Sequence, residues 1–380
     1  MFGKIPFWAH FSAGALASLF ILLMSATGLI LTYEAQITDR AVRSAIVAPG
    51  AAAPLDATAL VTAAEALGAK PGQTLVIAAR AGDPAELRSG RTGTLLDPYD
   101  GTALTEAGAG TAAFFRQVTN LHRWLSLSGP SDTGGAINDA ANLGFLLLVL
   151  SGLYLWLPPA LRWSLLRMRL VFRRGLPTAQ ARHLNWHQVL GAWALLPLLV
   201  IVLSGVVMSY PWANALVFRA VGEAVPVRSG PPSGASALPG DLAAARLGGA
   251  QPLDPETLIA AAGAVVPGWT TAAIALPEPD AAYVALTMDR GNGRQAALRA
   301  TLILDRVSGV VVAQSGAGAQ STGAQIRGWL RFAHTGEVYG VIGQTVAGLA
   351  CVAAMVLVYT GFSLGLRRIG RMRRRARLTA

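Results

Sequence analysis

The chain is short of charge. Of its 380 residues only 13% are Asp, Glu, Lys or Arg, while 53% are apolar; an ordinary soluble protein carries about 25% charged residues. With a mean hydropathy of +0.47, that deficit argues for a membrane protein. Cys351 is the only cysteine, which excludes an intramolecular disulfide framework and any Cys-x-x-Cys metal site. No phosphate loop and no glycine fingerprint for a dinucleotide is present. No hydroxyl, thiol or carboxylate constellation for hydrolysis stands near the histidines.

What is present is unevenly distributed. The formal net charge of +11 comes from three short flanks: Lys4, six arginines in 159–186 with no acid, and seven arginines from 365 onward with no acid. The rest of the chain is slightly acidic. Basic residues gathered beside apolar runs follow the positive-inside pattern. The long loops show no basic stripe interleaved with aromatics, so nucleic acid is not a partner. Four apolar blocks, 11–32, 140–158, 188–210 and 341–364, each have about the length needed to span a bilayer core of ~30 Å. With the basic flanks inside, both termini are cytoplasmic and the loops are both outside, in the periplasm of a bacterium.

The expected organisation is an N-terminal segment with the first span (1–32), read as an uncleaved anchor, and an outer module (33–139). A second span (140–158), a basic cytoplasmic loop (159–187) and a third span (188–210) follow. A second outer module (211–340), a fourth span (341–364) and a basic cytoplasmic tail (365–380) complete it. Trp8, Trp156, Trp186 and Trp212 stand at span ends, as interfacial anchors do. The stretches 48–54 and 224–252 read as linkers.

The first and third spans are related. His10, Gly14, Thr27-Gly28 and Tyr33 recur as His187, Gly191, Ser204-Gly205 and Tyr210 at the same offsets. The second and fourth spans each end in a Ser/Thr-Gly pair, Ser151-Gly152 and Thr360-Gly361, and each is preceded by a histidine, His122 or His334. The outer loops repeat too: Leu55-Asp56 and Leu253-Asp254 open helical patterns, and Leu96-Asp97 to Gly101 and Leu304-Asp305 to Gly309 read as turns between strands. The fold class is therefore an α-helical membrane protein, a four-helix transmembrane bundle with a parallel internal duplication and two outer α+β modules.

Five histidines occur, at 10, 122, 183, 187 and 334, all near span ends. The repeat pairs His10 with His187 at the cytoplasmic face and His122 with His334 at the outer face. Two symmetry-related histidines at one depth suit a b-type haem with an imidazole on each side of the iron, so two pairs imply two haems. No Cys-x-x-Cys-His is present, which excludes covalent attachment. Gly14 and Gly191 lie one turn beyond their histidines. Gly28 and Gly205 lie 18 residues on, a rise of about 27 Å on the same helix face. All four offer clearance for a macrocycle; small residues that let helices approach are the alternative reading. His183, i, i+4 from His187, is an alternative axial ligand, part of a metal site with His187, or a solvated side chain. Arg123 and Arg331 are candidate propionate contacts, with lipid headgroups or solvent as the alternative.

The runs Leu121-His122-Arg123-Trp124-Leu125 and Leu150-Ser151-Gly152-Leu153-Tyr154-Leu155-Trp156-Leu157-Pro158, with the two Asp-x-x-x-Gly turns, resemble the PepSY-associated transmembrane proteins over almost the whole chain. That family includes inner-membrane ferric-siderophore reductases. The second outer motif, Phe332-Ala333-His334-Thr335-Gly336-Glu337, departs from His-Arg-Trp. The resemblance implies two periplasmic PepSY-like modules and two b haems held by His10, His187, His122 and His334. It also implies an oxidoreductase that passes electrons to a ferric siderophore or other ferric chelate in the periplasm, with release of Fe(II). The donor is then external, a quinol or a cytoplasmic carrier. Two other functions compete: a siderophore or metal transporter, disfavoured by apolar centres without ionisable residues, and a haem-free PepSY module that binds a partner, which leaves the paired histidines unexplained.

Overall fold

The computed structural model describes residues 4–50, 52–90, 92–157, 162–226, 238–316 and 320–379. Pro158 of the motif above and residues 227–237 of the expected linker lie outside them. In chain order the elements begin with α1 (Lys4–Leu31), α2 (Glu34–Arg43), α3 (Ala57–Ala66), β1 (Thr74–Ala78), β2 (Ala85–Ser89), β3 (Thr92–Leu96) and α4 (Ala109–Trp124). Then come α5 (Asp132–Trp156), α6 (Trp163–Leu170), α7 (Ala179–Trp193), α8 (Leu195–Ser209), α9 (Pro211–Ala220), α10 (Gly240–Ala244) and α11 (Pro255–Val265). The chain closes with β4 (Thr271–Ala275), β5 (Tyr283–Asp289), β6 (Arg299–Asp305), β7 (Val311–Gly316), α12 (Thr322–Thr335) and α13 (Gly340–Thr379).

These elements form two compact units. One comprises the chain to Glu34, Ala113–Val217 and the chain from Leu330; the other comprises Ala35–Ala112 and Phe218–Trp329. In the helical unit, three helices are long and apolar enough to cross a membrane, and a fourth span exists if α7 and α8 are taken together. α1 lies against α5 and α13, α7 against α13, and α5 against α8. Ala350, Ala353 and Ala354 of α13 pack with Val149 of α5 and Leu198 of α8; small side chains let the helices approach without a hydrophobic drive between them. The outward faces stay apolar: Leu16, Leu196 and Leu349 are 81%, 70% and 64% exposed, the pattern of a surface that meets lipid.

The helix starts are written in the sequence. The Ser131 hydroxyl accepts from the Gly134 amide at 3.1 Å to cap α5, and the Thr178 hydroxyl accepts from the Ala181 amide at 3.1 Å to cap α7. The span expected over 188–210 is not continuous. α7 ends at Trp193, α8 starts at Leu195, and the two are bent by 65°. Pro197 causes the break: it has no amide for the Trp193 carbonyl, and its ring would collide with that carbonyl in a continuous helix. The new helix takes its first bond from the Leu198 amide to the Ala194 carbonyl, 2.8 Å.

The second unit holds one antiparallel sheet of seven strands in the order β3-β2-β1-β4-β5-β6-β7. Strands from both outer segments meet at its centre, where β1 pairs with β4 from Thr74↔Ala275 to Ala78↔Thr271. Alternate residues, Leu75 and Ile77 of β1 and Ala272 and Ile274 of β4, point into a core shared with Leu60 and Ala64 of α3 and Leu258 and Ala262 of α11. α3 and α11 are capped alike: Asp56 accepts from the Ala59 amide and Asp254 from the Thr257 amide, both at 2.8 Å. Each also reaches the other helix, since the Ala57 amide donates to Glu256 at 2.9 Å and the Glu256 amide to the Thr58 hydroxyl at 3.2 Å. Both Asp-x-x-x-Gly turns form. The Gly101 amide donates to the Asp97 carbonyl at 3.0 Å and the Gly309 amide to the Asp305 carbonyl at 2.9 Å, with φ +73° at each glycine, a conformation only glycine adopts freely.

Candidate functional site

All five histidines belong to the helical unit, and each hydrogen-bonds through Nδ1 to a serine or threonine on another helix. His10 of α1 meets Ser151 of α5 at 2.9 Å, and His187 of α7 meets Thr360 of α13 at 2.9 Å. His122 of α4 meets Thr27 of α1 at 2.8 Å, and His334 of α12 meets Ser204 of α8 at 3.1 Å. The second half of the chain therefore repeats the first half bond for bond. The hydroxyl of each Ser/Thr-Gly pair is the partner of one histidine.

The direction of these bonds follows from the hydroxyl protons. A hydroxyl has one proton to give. Ser151 gives its proton to the Leu147 carbonyl at 2.6 Å, Thr360 to Val356 at 2.7 Å, Thr27 to Leu23 at 2.7 Å and Ser204 to Ile201 at 2.9 Å. The hydroxyl oxygen is then left as an acceptor, so the imidazole must donate from Nδ1. For His334 a carbonyl settles the matter independently, because Nδ1 also lies 2.8 Å from the Ile201 oxygen, which cannot donate. In the neutral rings this is the Nδ1–H tautomer, which leaves the Nε2 lone pair available to a metal. This is the arrangement by which an outer hydrogen bond orients a metal-ligating histidine and raises its basicity.

The glycines beside these hydroxyls give the rings room. A Cβ on Gly28 would lie 3.5 Å from Cε1 of His122, on Gly152 3.4 Å from Cε1 of His10, and on Gly361 3.1 Å from Cε1 of His187. At Gly205 the neighbour is instead Asn142, with Nδ2 2.7 Å from where a Cβ would stand. Gly14 and Gly191 face leucines, Leu148 at 3.6 Å and Leu357 at 3.8 Å. Arg123 and Arg331 are exposed and stack on the aromatic residues next to them, Trp124 at 4.5 Å and Phe332 at 5.5 Å from the ring centres.

The outer histidines are the better defined pair. Two imidazoles that would hold one haem iron between them have to stand close together. The His122 and His334 ring centres are 6.4 Å apart, with the planes at 69°. The donor set of two neutral imidazoles with free Nε2 fits a haem iron. His183 lies on the same α7–α13 seam, with Nδ1 2.9 Å from the Ser363 hydroxyl and its ring 5.4 Å from that of Tyr359. Among the described residues no group of three or more His, Cys, Asp or Glu could hold a metal ion, so His183 and His187 have no third protein ligand.

The sequence pattern of the PepSY-associated TM region matches residues 7–368. The chain belongs to that family. Among curated proteins none matches it. The PepSY-associated match encloses all five histidines, all four Ser/Thr-Gly pairs and both outer segments, so the network described above lies wholly within the family's extent. Membership makes the chain a membrane protein of this family.

Sequence reasoning missed the amide side chains that brace this network. Asn138 of α5 is buried and donates to the His122 carbonyl at 3.0 Å. Asn142, one turn on, donates to the Val202 carbonyl at 3.2 Å, and buried Gln344 of α13 donates to the Thr32 carbonyl at 2.6 Å. The available signal was an amide residue within an otherwise apolar helix, where a polar group persists only with a partner.

Proposed function

We propose that the chain is a di-haem membrane oxidoreductase that carries electrons across a bacterial inner membrane and reduces a periplasmic ferric chelate, such as a ferric siderophore, to release Fe(II). Two b-type haems, one held by His10 and His187 and one by His122 and His334, would supply the one-electron chemistry. The observation that carries this reading is the repeated Ser/Thr–histidine bond. In each half of the chain it holds a proton on Nδ1 and leaves Nε2 as an electron-pair donor. His183 makes the same kind of bond to Ser363 but stands outside the repeat, so the support lies in the four bonds that the repeat relates in two pairs.

In this reading the spans form a four-helix bundle with its duplication axis along the membrane normal. Both termini and the arginine-rich segments are cytoplasmic, and the sheet unit is periplasmic. The hydroxyls of Ser151 and Thr360 set the inner pair of imidazoles, and those of Thr27 and Ser204 set the outer pair. The donor is external, a quinol or a soluble cytoplasmic carrier, since the chain has no nucleotide fingerprint of its own. The substrate takes one electron per iron and leaves as Fe(II).

The test is anaerobic. Protein reduced with dithionite and freed of excess reductant is mixed with a ferric hydroxamate chelate while a ferrous-specific chelator traps Fe(II). Fast Fe(II) formation that His122→Ala abolishes is the expected result. Fe(II) formation no faster than with that variant would overturn the reductase reading.

A further inference from the structure

We propose that the helical unit carries a binding site for an anionic phospholipid, in a cavity of about 640 Å³ between the loop after α6 and the face of α7. Arg173, Arg174 and Arg182 line it together with Phe172, Trp186 and Val356. The charge is one-sided. No Asp or Glu occurs between Asp139 and Glu223, or anywhere after Glu337, so α6, α7, α8 and α13 bring no carboxylate to offset three guanidinium groups. Three planar forks with no acid call for an anion, and arginine matches phosphate geometry. The apolar part of the lining, Val356 on spanning helix α13 and the edge-to-face rings of Phe172 and Trp186, 6.4 Å apart, suits an acyl chain. Charge at one end and hydrocarbon at the other describe an amphiphile, which a free phosphate or a neutral quinone does not match.

The site is built into the fold. Buried Asn185 of α7 accepts from the Arg173 amide at 2.9 Å and donates to the carbonyls of Met168 and Val171 at 3.3 and 3.1 Å. Trp193 Nε1 donates to the Leu170 carbonyl at 3.0 Å. The middle and the C-terminal end of α7 therefore pin the segment that carries Phe172, Arg173 and Arg174. Basic pockets at the cytoplasmic ends of spanning helices are where phospholipid headgroups bind.

Native mass spectrometry of the full chain, released from detergent with phosphatidylglycerol or phosphatidylcholine added, tests this. The wild type retains phosphatidylglycerol in preference. The triple exchange Arg173→Gln, Arg174→Gln and Arg182→Gln weakens that retention by about 100-fold, roughly fivefold per arginine, and the same three positions changed to Lys keep most of it. Arg182→Gln alone, about fivefold weaker, covers the case in which the triple variant is lost on purification. Exchange of Arg373, Arg374 and Arg377 to Gln in the tail leaves retention as in the wild type. Equal retention of phosphatidylcholine, loss in the tail variant as large as in the cavity variant, or displacement of the lipid by an equal concentration of inorganic phosphate would each overturn the proposal.

Discussion

A histidine that serves an iron has to keep its Nε2 lone pair exposed and its ring oriented, and a hydroxyl that has already given its proton away enforces both. The hydroxyl of Thr360, fully buried, does this for His187. Thr360→Val keeps the shape and removes the acceptor, so the His187 ring loses its outer bond. On the haem reading, affinity for haem at that pair falls by about 10- to 100-fold with the fold retained; a haem titration of apoprotein measures it, and unchanged affinity would remove the hydroxyl from the account. Much of this was legible in the chain: the five histidines and the four Ser/Thr-Gly pairs stand out, and their duplicated offsets pair the histidines. The partnership between them was not. His122 and Thr27 are 95 residues apart and His187 and Thr360 are 173 apart, and no local spacing encodes a bond made by helix packing. Nor was it visible that Gly28, read as room for a macrocycle, faces the His122 ring, as Gly152 and Gly361 face those of His10 and His187.

At the scale of the element, hydrophobicity finds a span but not its straightness. The apolar block 188–210 reads as one helix because its composition is continuous; a single proline ring divides it, and the 65° bend between α7 and α8 follows. Pro197→Ala restores the missing amide. The expected outcome is a distance between spin labels at Gln180 and Met208 longer by about 7 Å, from two arms of about 21 Å each brought into line, read by double electron–electron resonance. An unchanged distance would place the cause of the bend in tertiary packing. The caps of the sheet unit were legible from Leu-Asp before a helical pattern. Asp254 is held below its ordinary value of 3.8, chiefly by the Thr257 amide and then by the Thr257 hydroxyl. A carboxylate whose folded pKa is lowered stabilises above its unfolded pKa and loses that contribution as pH falls through the folded value. Asp254→Asn keeps a cap but removes the titration. Hydrogen exchange of α11 should therefore show the wild type better protected than the variant at pH 7, with the difference shrinking as pH falls well below 4; a difference that does not depend on pH would contradict the sign.

Across the whole molecule the duplication is expressed twice, in different ways. In the helical unit it yields four matching hydroxyl–histidine bonds. In the other unit it yields one continuous sheet, because β1 and β4 are equivalent strands that pair antiparallel at its centre. The sequence shows two modules of like pattern, each complete by its own periodicity. Their union could not be read from it, since an edge strand with a free ladder looks the same in sequence whether it pairs or stays open. The first outer segment also returns after its Asp-x-x-x-Gly turn by a single bridge, Leu96↔Ala103, where the second forms the full strand β7, a difference the matched turns conceal.

The central claim is that the two histidine pairs each hold a haem. The direct measurement is the visible spectrum of the full chain purified in mild detergent, oxidised and dithionite-reduced, with a pyridine haemochrome assay against protein concentration. The account predicts low-spin b-type bands and about two haems per chain, falling to about one in His334→Ala and in His187→Ala. A folded preparation that stays free of haem even after expression with added haem would contradict it.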